Sequence, residues 1–166
     1  VNEFVHISGA FAFEKGPVVV ADIENNKGLT VSDVRLDSLS IGASNVSVFV
    51  GQNGPYRNDT NGDLQWDVND PINPDAQGFV IDDVDFGMAF LSPSKGTVTP
   101  GISPTSKYFA LKANANKVGI VGFEDDFRLE ANRLEVDLNL SNDKLNGTHV
   151  DFAASFPADS ATKTPA

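Results

Sequence analysis

Residues 79–90 read Phe79-Val-Ile-Asp-Asp-Val-Asp-Phe-Gly-Met-Ala-Phe90. Phe79 and Ile81 alternate with other residues, two polar positions are skipped, and Val84, Phe86, Met88 and Phe90 alternate again in the opposite parity. A period of two marks a strand, because successive side chains point to opposite faces of a sheet. The pattern recurs along the chain. Leu29 and Val31 give way to Val34 and Leu36; Leu39, Ile41 and Ala43 to Val46, Val48 and Val50; Phe127, Leu129 and Ala131 to Leu134, Val136, Leu138 and Leu140. A looser version runs from Phe109, Leu111 and Ala113 to Val118 and Ile120, and an opening strand carries Val5, Ile7, Phe11 and Phe13.

The skipped pairs are Ser32-Asp33, Ser44-Asn45, Asp82-Asp83 and Asn132-Arg133. A two-residue step keeps both flanks on one face only where the chain bends or bulges. Tight two-residue hairpins favour glycine, which none of these pairs contains, so corners or bulges are expected. Helical spacing is hard to find. The expected fold is therefore all-β, with an elongated, solenoid-like stack of short strands preferred over a two-sheet β-sandwich.

The length of 166 residues suits one domain, read as 1–156 with polar inserts at 51–78 and 92–107. Residues 157–166 have linker composition. The 12 phenylalanines, against one Trp and two Tyr, suggest a dry interior, since Phe has no polar atom to satisfy.

The formal charge of −11 repels phosphate backbones, which argues against nucleic acid. No run of about 18 apolar residues exists, so no membrane insertion is expected. The chain begins within a strand-like segment and is read as a mature protein or an excised segment whose signal lies elsewhere. Without cysteine there are no disulfides, thiolate metal sites or thiol nucleophiles. An acidic surface of this kind attracts divalent cations instead.

One motif answers to that chemistry: the segment from Asp59 to Asp70, Asp-Thr-Asn-Gly-Asp-Leu-Gln-Trp-Asp-Val-Asn-Asp. A calcium loop places oxygen ligands at positions one, three and five, a carbonyl at seven, and carboxylates at nine and twelve. Those positions hold Asp59, Asn61, Asp63, Gln65, Asp67 and Asp70. Two features depart from the pattern. Position six is Leu64 where glycine eases the turn, and position twelve is Asp rather than the longer Glu. Asp82, Asp83 and Asp85 form a second acidic cluster, and Glu124, Asp125 and Asp126 a third.

Metalloprotease, Walker and nucleophile-elbow motifs are absent from the sequence, and no catalytic residue is assigned. His6 and His149, the two histidines, are read as bystanders. Tyr56, Trp66 and Tyr108 lie on or beside inserts, where aromatic rings either stack on sugars or pin loops to the core.

The segments Ser40–Gly51, Lys107–Ala113 and Val150–Ser155 carry a resemblance: the chain resembles the long repeat modules of giant bacterial cell-surface proteins, from about Phe4 to Phe156. The resemblance implies tandem copies, export and a structural or adhesive role, and it supplies no catalytic residues. The expected partners are copies of the chain itself or neighbouring repeats in a fibre, with glycans as an alternative ligand. The opening strand Phe4–Phe13 is the expected edge for strand exchange.

Overall fold

A computed structural model describes residues 4–123 and 125–155. The chain is all-β, as its alternation requires. Among the described residues seven strands follow one another: β1 (Val5–Glu14), β2 (Val19–Glu24), β3 (Thr30–Gln52), β4 (Gln77–Pro93), β5 (Tyr108–Val121), β6 (Leu129–Ser141) and β7 (His149–Asp151), with one helical turn, α1 (Phe152–Ser155). They form a nearly closed antiparallel sheet in the order β6-β5-β4-β3-β2-β7, and β1 also pairs with β3. Among the described residues no helix is long and apolar enough to cross a membrane.

The strands are long where the sequence pattern suggested a stack of short ones. The reason lies at the skipped pairs. Asp33, Asn45, Asp83 and Arg133, the second residue of each pair, all adopt left-handed backbone, with φ of 58°, 51°, 58° and 56°. Strands β3, β4 and β6 nevertheless run through them unbroken. Opposite β2 the register shows how. Ala21 pairs with Val34 and Ile23 with Val31, so one residue of β2 faces two of β3. This is a β-bulge, which realigns the alternation without ending the strand.

A left-handed non-glycine residue costs on the order of 1 kcal/mol and needs compensation. Three of the four receive it in the same way. The amide of Asp33 donates to Asp22 Oδ1 at 3.0 Å, that of Asn45 to Asp85 Oδ1 at 3.0 Å, and that of Asp83 to Ser47 Oγ at 2.9 Å. In each case a short polar side chain takes up an amide that the ladder leaves over. Asp85, counted above in an acidic cluster, thus has a structural job.

Two compact units divide the chain, and strands β3 to β6 contribute to both. The first comprises residues up to Ala12, Ile41–Gly87 and Lys112–Asp137. Its core gathers Phe49, Val80 and Val121 from the strands with Tyr56, Trp66 and Ala76 from the insert. Gly51 and Gly78 permit the close approach of β3 and β4 here: a Cβ on either would lie 2.6–2.8 Å from the Cα of the other.

The second unit comprises Phe13–Ser40, Met88–Leu111 and residues from Leu138 onward. Its core of Ala21, Ile23, Val34, Leu36, Leu91, Tyr108 and Val150 is apolar except for one phenol. On β2 the buried residues are Ala21 and Ile23, while Val20 is exposed, as is Val18 just before the strand. Asn139 Nδ2 donates to the Val150 carbonyl at 2.7 Å, tying β6 to β7, the two ends of the strand order.

The phenylalanine-rich interior is a correction. Among the described phenylalanines only Phe49 is buried; Phe4, Phe11, Phe13, Phe79, Phe90, Phe123, Phe127 and Phe152 are exposed. Alternation fixes which residues share a face, not which face becomes core. The tail 157–166 lies outside the described residues.

Candidate functional site

The insert 51–78 folds over the first unit through a charged clasp. An isolated antiparallel bridge pairs Arg57 with Ile72 within the insert. Arg57 Nε donates to Asp82 Oδ1 at 3.0 Å and Oδ2 at 3.2 Å, its Nη2 to Asp82 Oδ2 at 2.7 Å, and its Nη1 to the Asp70 carbonyl at 2.8 Å. Asp82 is fully buried and Arg57 nearly so. Ser47 Oγ lies 3.4 Å from Asp82 Oδ1 while accepting the Asp83 amide. The fork-shaped guanidinium matches a carboxylate in two places, which suits it to a buried pair. Its hydrogen bond to Asp82 raises the Arg57 pKa further above its ordinary value, against the opposing effect of burial.

Tyr56 has two cations near its ring. The Arg57 guanidinium lies 5.6 Å from its ring centre and the Lys117 ammonium 5.5 Å, both within cation–π range. Lys117 also reaches Glu130 at 3.3 Å. Burial alone would lower the Lys117 pKa; Tyr56 and Glu130 outweigh it and leave it raised. Hydrogen bonds from Arg128 and Asn132 lower the Glu130 pKa to about 2.

The 59–70 loop is a chain of short hydrogen-bonded turns. Asp59 accepts the Gly62 amide at 2.7 Å on one oxygen and the Leu64 amide at 2.9 Å on the other. Asn61 accepts the Asp63 amide at 3.0 Å, Asp63 the Gln65 amide at 2.8 Å, and Asp67 the Asn69 amide at 2.7 Å. Asp70 differs from the rest. Its buried carboxylate accepts the Thr60 amide at 3.1 Å and the Asp67 amide at 3.2 Å, stapling the two ends of the loop together.

All six candidate ligands therefore lie in one loop. Asp59, Asn61, Asp63 and Gln65 are exposed, Asp67 is half-buried and Asp70 points inward. The side-chain oxygens of Asp59, Asn61, Asp63, Asp67 and Asp70 accept backbone amides, and among the described residues no three Asp, Glu or His side chains converge as a metal-holding group. Leu64, the departure at position six, is almost fully exposed and has φ of 65°. The left-handed turn that glycine eases in calcium loops is thus present here on a leucine.

The other acidic clusters part company. Asp82 belongs to the clasp and Asp85 to the Asn45 bulge, where it also meets Asn114 Nδ2 at 3.4 Å. Burial, then repulsion from Asp85 and Asp82, pushes the Asp83 carboxyl up. Asp125 and Asp126 are exposed in a turn, and Glu124 lies outside the described residues.

Tyr56, Trp66 and Tyr108 are buried, so their rings fasten the inserts and offer no stacking platform for sugars. The Trp66 amide donates to Ser8 Oγ of β1 at 3.2 Å. Burial pushes the Tyr108 phenol up, partly offset by Ser106 and Thr148. His6 faces inward and packs against Phe49 at 6.1 Å between ring centres. His149 is half-buried on β7.

Sequence reasoning missed the clasp. One signal was present: Arg57 is the sole basic residue between Arg35 and Lys95, set in a segment rich in aspartate. No family model, curated protein or solved structure matches the chain.

Proposed function

We propose that the chain is a structural or adhesive module of an extracellular bacterial fibre or cell-surface protein, with calcium as a stabiliser of its 59–70 loop. The observation that carries this reading is where the buried charge goes. Arg57, Asp82 and Asp70 all serve to fasten the insert onto the strands and to close its loop. A frame that commits its buried ionic groups to rigidity suits a load-bearing or display role. The bulges, each held by an aspartate or serine on a neighbouring strand, serve the same end.

Calcium fits the chemistry of the loop. An ionised carboxylate offers about four lone-pair sites, and Asp59 gives two hydrogen bonds their acceptors. Asp59, Asn61, Asp63 and Asp67 would turn from the amides they accept to hold the ion with the Gln65 carbonyl, and Asp70 would brace the loop from inside. A hard cation there neutralises part of the net charge of −11.

Thermal melting in millimolar calcium and in excess chelator tests this directly. A hundredfold excess of calcium over its Kd should stabilise the fold by about 3 kcal/mol, and Asp59→Asn with Asp63→Asn should abolish the difference. Superimposable melting curves with and without chelator would count against the calcium reading.

A further inference from the structure

The first unit covers one face of its strands and leaves large apolar side chains part-exposed on the other. Each strand shows the switch between adjacent residues. On β1 His6 packs on Phe49, and Ile7 is 64% exposed. On β3 Phe49 is buried and Val50 is 44% exposed; on β4 Val80 is buried and Phe79 is 41% exposed. On β6 Glu130 turns to Lys117, and Leu129 is 57% exposed. Neighbours on a strand point to opposite faces, so Ile7, Val50, Phe79 and Leu129 share the outer one.

By alternation the polar residues on that face are Gln52 and Gln77, at the ends of β3 and β4. The outward positions Val48 and Ile81 alternate with Val50 and Phe79 and are likewise apolar. The clasp, the ion pairs and the bulge carboxylates belong to other positions. With Phe11 at 54% and Leu134 at 44%, six large side chains of this unit stand about half exposed on β1, β3, β4 and β6. At roughly 100 Å² for each half-exposed large side chain, they present on the order of 600 Å². Half-buried neighbours add to it. The total reaches the upper end of the largest apolar patch on a typical monomer, about 300–600 Å², and approaches the roughly 800 Å² per partner of a stable interface.

We infer that this face docks against the same face of a second copy of the chain, the two sheets stacking as in a β-sandwich. A partner must lack polar and charged groups over the same area, since each one buried here would go unpaired. The chain itself presents such a surface. Stacked sheets lie about 10 Å apart with interdigitating side chains, which suits branched aliphatics and phenylalanine. Residues 156–166 are a poor substitute, offering one phenylalanine in a stretch of Pro, Ala, Asp, Ser, Thr and Lys. Anionic lipid is opposed by the net charge of −11. The inference rests on the structural-module reading for its biological sense, and names the surface through which copies assemble.

Sedimentation equilibrium of the 166-residue chain, in calcium and in chelator, tests it. The expected result is a dimer that tightens with added salt, because screening relieves repulsion between acidic surfaces while the apolar face is indifferent to it. Ile7→Lys and Leu129→Lys should each raise the dimer Kd at least tenfold. Should circular dichroism show either variant unfolded, Ile7→Thr and Leu129→Thr keep strand propensity and give the same readout. A monomer at about 100 µM protein, or oligomers that survive the folded variants, overturns the inference. A dimer that persists while melting curves ignore chelator overturns the calcium reading and leaves the face standing.

Discussion

The two units solve one problem in different ways. Each must cover the inner face of a sheet. The second unit does so with the sheet itself: β7 pairs with β2, Asn139 of β6 bonds to Val150, and an apolar core fills the space. The first unit recruits the insert 51–78 as a lid of Tyr56, Trp66 and Ala76, then locks it with Arg57 on Asp82. Closure by strands needs only apolar side chains and a ladder. Closure by a loop lacks that ladder, so a buried ion pair and a stapled turn supply the fixed geometry.

The difference makes unequal predictions. Asp82→Ala should have the largest effect, a loss of about 3–5 kcal/mol, because it strands the buried Arg57 cation without its carboxylate. Chemical denaturation would measure the loss, and amide exchange should show it concentrated at residues 53–76. A loss below about 1 kcal/mol would mean that the clasp is not what holds the lid.

In the second unit the comparable lesion is a cavity. Leu36→Ala, at a fully buried site, should cost about 2–5 kcal/mol by denaturant titration. Exchange protection should fall first around β2 and β7, leaving the lid of the first unit less affected. Equal loss of protection at Trp66 and Val150 in both variants would erase the contrast and show one cooperative structure.

The smallest effect lies at Asp83, whose pKa is raised by burial and then by Asp85 and Asp82. A carboxyl with a raised folded pKa favours its neutral form in the fold. Its ionisation therefore costs stability as pH rises from its ordinary value of 3.8 through the folded value. Asp83→Asn removes that cost and still tolerates the left-handed backbone, for a gain of a few tenths of a kcal/mol at neutral pH after solvent screening. Melting curves should converge near pH 3, below the ordinary value. A gain that persists unchanged into acid would place the effect in the backbone instead.

Much of the fold was legible at the level of single strands. The skipped pairs foretold the bends, since Asp33, Asn45, Asp83 and Arg133 are all left-handed. At the mismatch in the calcium-like spacing, Leu64 takes the left-handed conformation expected of glycine. The aromatic residues of the inserts turned out to be anchors. Arg57 was the least readable residue: its partner Asp82 is 25 positions away, and no local pattern links an insert arginine to one aspartate among several.

The sequence by itself determined the period of two, the places where that period slips, and the residues that share a face on every strand. These are local properties, set by backbone stereochemistry and the pleat. Only the tertiary structure decided which face became interior. On β4 the stripe of Phe79 and Ile81 faces outward, while Val80 and the charged Asp82 lie within. A buried aspartate is tolerable only where a cation reaches it, and that cation arrives on a distant loop whose position no strand pattern encodes.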